Sequence, residues 1–569
     1  MRQKNPIIYE RKYNDSNLLG EIDPLIARIL SARGVNNKEE YNYQLRALAP
    51  VSSLENLDNA IKIIQKYKDE NILIIGDYDV DGATSIALLM RCLGDYGFKK
   101  INYIVPNRFD YGYGLTLEVV EQAKTYNPKL LITVDNGISS IEGVDKARQF
   151  GIDVLVTDHH LPGPDLPNAN VIVNPNIKNS KFISKNLAGV GVAFYLMAAL
   201  GRELEIKGQV GAAKVSTRYL DLVALGTIAD VVKLDFNNRV LVKEGLKRIQ
   251  NKLCVPGILA LIKESGKDYN KLTSMDLGFS LGPKINAAGR LEDISIGIEC
   301  LLTDDNSIAL KCAIALGEKN KKRQDIEQQM QREAYAYIER FTETNLPLCL
   351  CIYDKKWHQG IVGLVASRLK DHCNRPVIAF AEESKGILKG SARSIPGLHI
   401  KDLLESIATE NPQLIEKFGG HSMAAGLTIK EKYFDKFKTH ASAHIKKLYP
   451  TIDFTGAIYV DGQIPYQKLT IEFARMIESY GPWGAGFDEP IFHGKFHLLE
   501  QRVVGNNHLK MRVKSIGSEV SIDAIAFNQV SIVARDAVEL IYKLQVNEFR
   551  GKASAQLLVE NIFINEYYD

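Results

Sequence analysis

Four short apolar runs, NILIIG (71–76), KINYIVP (100–106), KLLITVD (129–135) and IDVLVTD (152–158), each end in polar or acidic residues. Their length suits buried strands rather than helices. Between them the spacing predicts helices over 83–96, 116–126 and 143–150. Strand, helix, strand, repeated, predicts a parallel sheet with crossover helices. Ligands of such sheets bind beyond the carboxyl ends of the strands, where the acidic residues of this chain stand.

The rest of the chain reads differently. Residues 1–50 form a helical preface containing a helix over 22–30. A more helical stretch covers 185–300 and closes a first α/β domain placed at 51–304. Residues 305–345 follow; their strongly polar part, 305–342, has no proline and a single glycine, Gly317, with opposite charges alternating along it. That predicts one long helix bridging two domains; the alternative is two helices broken near Gly317. Residues 346–450 restart with strands and the glycine-rich segments WHQGIVG, LKGSARSIPG and GGHSMAAG, predicting a second, smaller α/β domain. Residues 453–569 carry short alternating strands such as FTGAIYVDG, HLKMRVKS and SAQLLVENIFI, which predicts a small β-barrel. A chain of 569 residues exceeds what one core supports, so several domains are expected.

Composition narrows the class. Apolar residues at 45% and charged residues at 24% suit a soluble globular protein. The apolar runs are too short to span a bilayer. The N-terminus, MRQKNPIIYERKY, lacks the apolar stretch and cleavage site of a signal peptide, so the cytoplasm is the expected compartment. Seven cysteines are scattered without a Cys-x-x-Cys pair, as in a reducing compartment. Cys349 and Cys351 share one face of a predicted strand, where core packing is expected over a metal or redox role. A net charge of +3 argues neither for nor against nucleic acid, since an enzyme acting on DNA needs a basic groove rather than a basic whole.

The candidate chemistry lies at the strand ends. In GDYDVDGATS (76–85), Asp77, Asp79 and Asp81 alternate directly after a strand and face one way in extended chain, and Gly82 allows a tight turn into the helix. Converging carboxylates repel unless a cation sits among them, and oxygen-rich sites suit Mg²⁺ or Mn²⁺. An EF-hand loop is excluded because its bidentate Glu would fall at position 88, which is Leu88. Asp135 in TVDNGIS stands at the next strand end; taken alone, it reads as a turn residue capping a helix. TDHH (157–160) places His159, a plausible imidazole ligand, at a further strand end. Asp230 lies in the apolar segment LDLVALGTIADVV, where a carboxylate needs a partner that a metal would supply. Mixed carboxylate and imidazole donors fit Mn²⁺ better than Ca²⁺ or a thiophilic metal. Two ions about 4 Å apart would clamp a phosphoryl group and activate a water. Asp135 is the candidate bridging carboxylate.

GDYDVDG, PNR with GYG, TVDNG and TDHH, in that order, resemble the four motifs of the DHH phosphoesterases. LAGVGVAF (187–194), DLVALGTIADVV (221–232), INAAGRLED (285–293), WHQGIVGLVASRL (357–369), LKGSARSIPGLHI (388–400) and FGGHSMAAG (418–426) resemble the bacterial single-strand-specific exonucleases of that family. GPWGAGFDEPIF and NEFRGKASAQL near the C-terminus do so too. The resemblance covers nearly the whole chain. It implies metal-dependent hydrolysis of single-stranded DNA from the 5′ end, releasing 5′-mononucleotides, in DNA repair and recombination. It implies Asp79, Asp81, Asp135, His159 and Asp230 as ligands of two Mn²⁺ or Mg²⁺ ions, with Asp77 either a ligand or an acceptor behind the ligands. His160 would face substrate, and Asp158 would orient a histidine.

Residues 346–450 resemble the DHH-associated domain, where Gly390, Ser391 and Arg393, with Gly419, Gly420 and His421, would bind the terminal phosphate and backbone of the substrate. Arg108 and Arg290 are further phosphate candidates; interdomain salt bridges are their bland alternative. Lys284 stands where the family usually shows Arg, keeping charge without the bidentate fork. Trp483 and Phe487 occupy positions that vary; neither change touches the metal set.

The C-terminal barrel resembles an OB fold, which would hold single-stranded DNA by a cationic groove and aromatic stacking. Residues 453–569 nevertheless carry eleven Lys/Arg against fifteen Asp/Glu. A binding face must be local, around Arg502, Lys510, Arg512, Lys514, Arg550 and Lys552; a purely structural barrel is the alternative. The mechanism expected is a strand threading between the two α/β domains under the long helix, with its 5′ phosphate held by the second and duplex excluded. A monomer is expected, with a helicase and a single-strand-binding protein as partners and no membrane association. Other DHH activities, on small oligonucleotides, cyclic dinucleotides or pyrophosphate, generally lack so large a third domain. A non-catalytic DNA-binding scaffold would have emptied ligand positions, and here every one is filled.

Overall fold

The computed structural model describes residues 6–14, 20, 22–107, 114–341, 345–505, 507–529, 532, 536–549 and 551–563. Arg108 and Arg550 therefore lie outside the described residues. The chain divides into two compact units, Glu10–Asn320 with Val460–Asp569, and Lys321–Tyr459 with Met1–Tyr9.

In the first unit, strands form at Ile72–Ile75, Ile101–Ile104, Leu130–Val134, Asp153–Thr157 and Val171–Val173. All four pairings are parallel, with Ile72–Ile75 between Ile101–Ile104 and Leu130–Val134. The chain thus reverses its lateral direction beside Ile72–Ile75, the kind of switch point where α/β sheets bind ligands. Alternation sorts the strand residues between two cores. Leu73, Ile75, Leu131, Val154 and Val156 pack with Val119, Val120, Val144 and Ala147 of the helices Leu117–Lys124 and Ile141–Gln149. Ile72, Ile74, Ile132 and Leu155 face the larger core, which contains the helices Val80–Asp95, Gly189–Ile206 and Leu220–Ala229. Both faces are covered, which is why the strands read as unbroken apolar runs.

The three-residue strand Val171–Val173 was not expected; it is too short to leave a periodic signature. The preface is not wholly helical either. Pro24–Ser31 is its one α-helix among the described residues, whereas Ile7–Glu10 is a strand paired with Ala457–Val460. That pairing corrects the placement of FTGAIYVDG, whose strand lies outside the barrel.

Asn306–Ile338 is one continuous helix of 33 residues. Gly317 does not break it. A Cβ there would collide with the Glu264 carboxylate, so the glycine serves close packing. Glu264 also takes Lys284, which is 8% exposed and ties the Gly282–Leu291 helix to the Pro256–Glu264 helix. Lys284 is thus engaged in an intramolecular ion pair.

The second unit holds a five-stranded sheet in the order Lys417–Gly420, Ala424–Lys430, Ile387–Arg393, Val377–Ser384, Leu350–Tyr353. Only the last pair is parallel. The helices Ile400–Glu410 and Phe434–Leu448 cover its core, in which Cys349 and Cys351 are buried with their sulfurs 4.0 Å apart.

The barrel, in the first unit, is closed by Phe492–Val504, His508–Ser515, Ser521–Ala526, Lys552–Phe563 and Ala537–Phe549. Leu509, Met511, Val513, Ile522, Ala524 and Ala526 alternate inward. Its core and that of the parallel sheet form one continuous apolar cluster.

Candidate metal centre

Asp77, Asp135 and Asp158 stand at the carboxyl ends of three adjacent strands, just after Ile72–Ile75, Leu130–Val134 and Asp153–Thr157, while Asp230 ends the helix Leu220–Ala229. Asp79 is the N-cap of Val80–Asp95, its Oδ1 accepting the Gly82 N–H at 3.1 Å. Asp81 already lies in the first helical turn, so the three aspartates do not all share an extended segment as expected. Gly82 likewise belongs to the helix; a Cβ there would collide with the Asp77 backbone. The turn is set by close approach rather than by glycine flexibility.

Asp81 is fully buried and held by a second helix. The N–H groups of Gly189 and Val190, at the start of Gly189–Ile206, donate to its Oδ2 and Oδ1 at 2.6 and 2.8 Å. A helix N-terminus stabilises such an anion. Gly189 also abuts Asp135: a Cβ there would lie 2.6 Å from the Asp135 Cβ and 2.8 Å from Oδ1. Gly226 is a third close approach, its missing Cβ lying 3.1 Å from Asp81 Oδ1. Asp135 adopts φ 62° and Val231, after Asp230, φ 61°. Left-handed backbone at non-glycine residues is strained and clusters at functional sites.

His159 Nε2 lies 3.1 Å from Asp135 Oδ1, 3.5 Å from Asp230 Oδ2 and 4.0 Å from Asp81 Oδ2. Potential donor atoms group, each set within 4.8 Å, as Asp77 with Asp79 and Asp135, as Asp81 with His159 and Asp230, and as Asp135 with His159 and His160. The structure thus brings together every proposed ligand. Burial first, and then the neighbouring carboxylates, push the Asp81 and Asp135 carboxyls well above their usual range and Asp230 to about 7. Asp230 Oδ2 is buried without a hydrogen-bond donor among the described residues. A hard divalent cation fits this donor set: it relieves the mutual repulsion and engages that oxygen.

Asp158 lies behind the centre. Its Oδ1 accepts the backbone N–H groups of His159 and His160 at 2.7 and 3.0 Å, and its Oδ2 accepts the Ile138 N–H at 2.9 Å. Oδ1 is also 2.7 Å from His160 Nδ1. Burial alone would lower the His160 pKa, but the Asp158 hydrogen bond and charge raise it to about 9.

Four asparagines complete the frame, and sequence reading had passed over them. Asn136 Nδ2 donates to Ile75 O and Val134 O, joining two strand ends at 3.1 and 2.8 Å. Asn176 and Asn174 donate to the carbonyls of His159 and His160 at 2.6 and 2.9 Å. Asn286 Oδ1 accepts the Val80 N–H at 3.1 Å. The VNPN and INAAGR segments were the available signals. Arg290 lies on the same helix as Asn286, next to Gly289, which packs against Tyr78 O.

In the second unit, Ser391, Gly426 and Gly419 stand opposite one another across three strands. Arg393 Nη1 donates to Ser391 Oγ at 2.9 Å and to Ala392 O at 2.8 Å. Both side chains face the first turn of Val362–Cys373, where a Cβ on Gly363 would lie 2.8 Å from Arg393 Nη2. Burial depresses the Arg393 pKa, and no carboxylate among the described residues offsets it. Space around Gly419 is open, and Gly420, at φ 145°, leads into the turn bearing the exposed His421. Gly390 stands apart: its Cβ would enter the core against Phe380 and Leu427, so packing accounts for that glycine.

Three family descriptions match in chain order: the DHH family N-terminal domain at 71–227, the DHHA1 domain at 345–447 and the RecJ OB domain at 460–561. The single-stranded-DNA-specific exonuclease RecJ of Salmonella typhimurium is 45% identical, the match covering 99% of this chain and 100% of that one. The chain belongs to the RecJ family. RecJ of Escherichia coli is likewise 45% identical over 96% of this chain and 97% of its own length. Among solved structures, RecJ from Thermus thermophilus in complex with Mn²⁺ superposes with a TM-score of 0.82 at 28% identity, covering 100% of this chain and 80% of that one. The same RecJ is also known in complex with Mg²⁺. The parallel-sheet domain, the smaller α/β domain and the closed barrel are therefore the RecJ architecture.

Proposed function

We propose that this chain is a metal-dependent exonuclease that degrades single-stranded DNA from the 5′ end, releasing 5′-mononucleotides in repair and recombination. The observation that carries the reading is the convergence of Asp79, Asp81, Asp135, His159 and Asp230 beyond the carboxyl edge of the parallel sheet, with Asp230 brought in from a helix end, in a chain nearly half identical to RecJ along its length.

Asp79, Asp81, Asp135, His159 and Asp230 would hold two Mn²⁺ or Mg²⁺ ions, with Asp77 a further ligand or an acceptor behind them. The ions would supply Lewis-acid stabilisation of charge on the phosphoryl oxygens. The protein supplies position. Asp158, kept ionised by its hydrogen bonds, accepts the proton-bearing Nδ1 of His160 and so presents Nε2 to a phosphate oxygen. Arg393 and Ser391, with Gly419, Gly420 and His421, would grip the terminal phosphate; a partly buried guanidinium with no offsetting carboxylate among the described residues is suited to an anion. Arg290 and Arg108 would add backbone contacts. The barrel would hold the strand downstream on a local face around Lys510 and Arg512.

A monomer in the cytoplasm, working beside a helicase and a single-strand-binding protein, completes the proposal. No helix among the described residues is long and apolar enough to cross a membrane. All seven cysteines are free.

The test is digestion of a long single strand labelled at each end in turn, with Mn²⁺ present. Early loss of the 5′ label supports the reading. Early loss of the 3′ label would overturn the polarity, and a preference for dinucleotides would favour a small-oligonucleotide phosphodiesterase. Asp135→Ala should abolish hydrolysis and leave DNA binding largely intact.

A further inference from the structure

Asp230 is the C-cap of Leu220–Ala229, and the strained Val231 follows it. Such a backbone persists only where its surroundings over-determine it. Both backbone groups of Leu234, just downstream, are tied. Its N–H donates to Ala485 O at 2.7 Å, and its carbonyl accepts Arg239 Nη1 at 3.0 Å. Arg239 in turn lies 4.1 Å over the Phe487 ring, which stacks on Trp483 at 5.0 Å. Ser274 Oγ fixes the Trp483 carbonyl at 2.7 Å. Gly484 packs so closely that a Cβ would lie 2.7 Å from Leu234 Cδ1 and 3.8 Å from Ile228 Cδ1. The 481–487 loop precedes the barrel, yet it is seated on the residues either side of Asp230.

We infer that the 481–487 loop is a positioning element for the metal centre: it fixes the segment after Asp230 so that Oδ2 stays aimed at His159. The inference rests on the reading of Asp230 as a metal ligand. Without the loop's contacts, Val231 can relax out of the left-handed region, and the Asp230 carboxylate turns with it. The C-terminal domain would then serve the ions as well as the DNA. Trp483 and Phe487, which are not ligands, would still bear on the metal set.

Mn²⁺ binding to the full chain without DNA, followed by electron paramagnetic resonance of the free ion, tests this. Gly484→Val, which displaces Leu234, and Phe487→Ala should each raise the Mn²⁺ dissociation constant fivefold or more. Phe487→Tyr, which keeps the ring under Arg239, should restore it. At saturating Mn²⁺ the KM for single-stranded DNA should move less than twofold. If Gly484→Val fails to fold, Gly484→Ala gives the same reading at smaller amplitude. Unchanged Mn²⁺ affinity in folded loop variants overturns the inference, whether or not KM rises. Asp230→Asn separates the two layers. If it leaves Mn²⁺ affinity unchanged, the ligand reading falls; if it weakens binding and the loop variants do not, the positioning role alone falls.

Discussion

Asp158 Oδ1 lies 2.7 Å from His160 Nδ1, and the same oxygen accepts the backbone N–H groups of both adjacent histidines. Because the carboxyl is held ionised, it can only accept, so the ring proton on Nδ1 is fixed by its partner. Partners of this kind are worth about 10- to 100-fold when removed. Asp158→Ala should therefore lower kcat by that factor with little change in KM for single-stranded DNA, and Asp158→Asn should lose less. Steady-state digestion of a labelled strand measures both.

The Gly189 contact predicts a metal-binding defect from the smallest of substitutions. In Gly189→Ala the new methyl meets Asp135, which is buried and cannot retreat, and the helix start holding Asp81 is pushed away. A loss of Mn²⁺ affinity of about tenfold or more is expected, since one charge-assisted hydrogen bond contributes about 1.5–3 kcal/mol. Gly191→Ala, whose nearest new neighbours are atoms of the Leu187 side chain, is the control and should bind Mn²⁺ nearly as the parent does. Calorimetric titration distinguishes them.

Crowding of acids at the centre makes the ions a source of stability. At a hundredfold excess over its dissociation constant, a ligand bound only by the folded state adds about 2.7 kcal/mol. Mn²⁺ should therefore raise Tm by a few degrees over the chelated protein. Asp135→Asn removes one of the mutually repelling carboxylates, so it should raise Tm in chelator while abolishing most of the Mn²⁺ increment. Scanning calorimetry with and without chelator shows both effects.

Asp221 gives a pH dependence away from the metals. It is fully buried, accepts the Val255 N–H at 2.8 Å through Oδ2, and has its pKa raised to about 6, chiefly by burial. The unfolded value is about 3.9. A folded pKa above the unfolded one means that the contribution to stability is full below the unfolded value and is lost as pH rises through about 6. Asp221→Asn, neutral throughout, should be more stable than the parent by about 1–3 kcal/mol at pH near 7.5. The difference should vanish toward pH near 4. Urea denaturation across that range is the measurement.

The strand-end acids were legible because a buried parallel strand leaves an unbroken apolar run and its next residues fall at the ligand-binding edge. Asp230 was legible from the opposite cue, a carboxylate in an apolar helix. What escaped depends on contacts between distant segments. Nothing local marks Gly189 as the place where a helix meets Asp135, or Asn174 and Asn176 as the clasps of the two histidine carbonyls. Ile7–Glu10 pairs with Ala457–Val460, beyond both α/β domains in sequence, so its partner could not be read from its neighbours. The Leu234–Ala485 bond joins segments that only the folded core brings together.

The discontinuity of the centre also has a bearing on biosynthesis. Asp79 and Asp81 leave the ribosome first, Asp135 and His159 later, and Asp230 only after the whole sheet. Domains fold as they emerge, N-terminal part first. A nascent chain therefore carries a half-built acidic cradle through much of its synthesis. Its final prop, Ala485, arrives only once the smaller α/β domain has been translated. Nucleolytic competence would be withheld until residue 485 has been translated, a form of timing set by chain order alone.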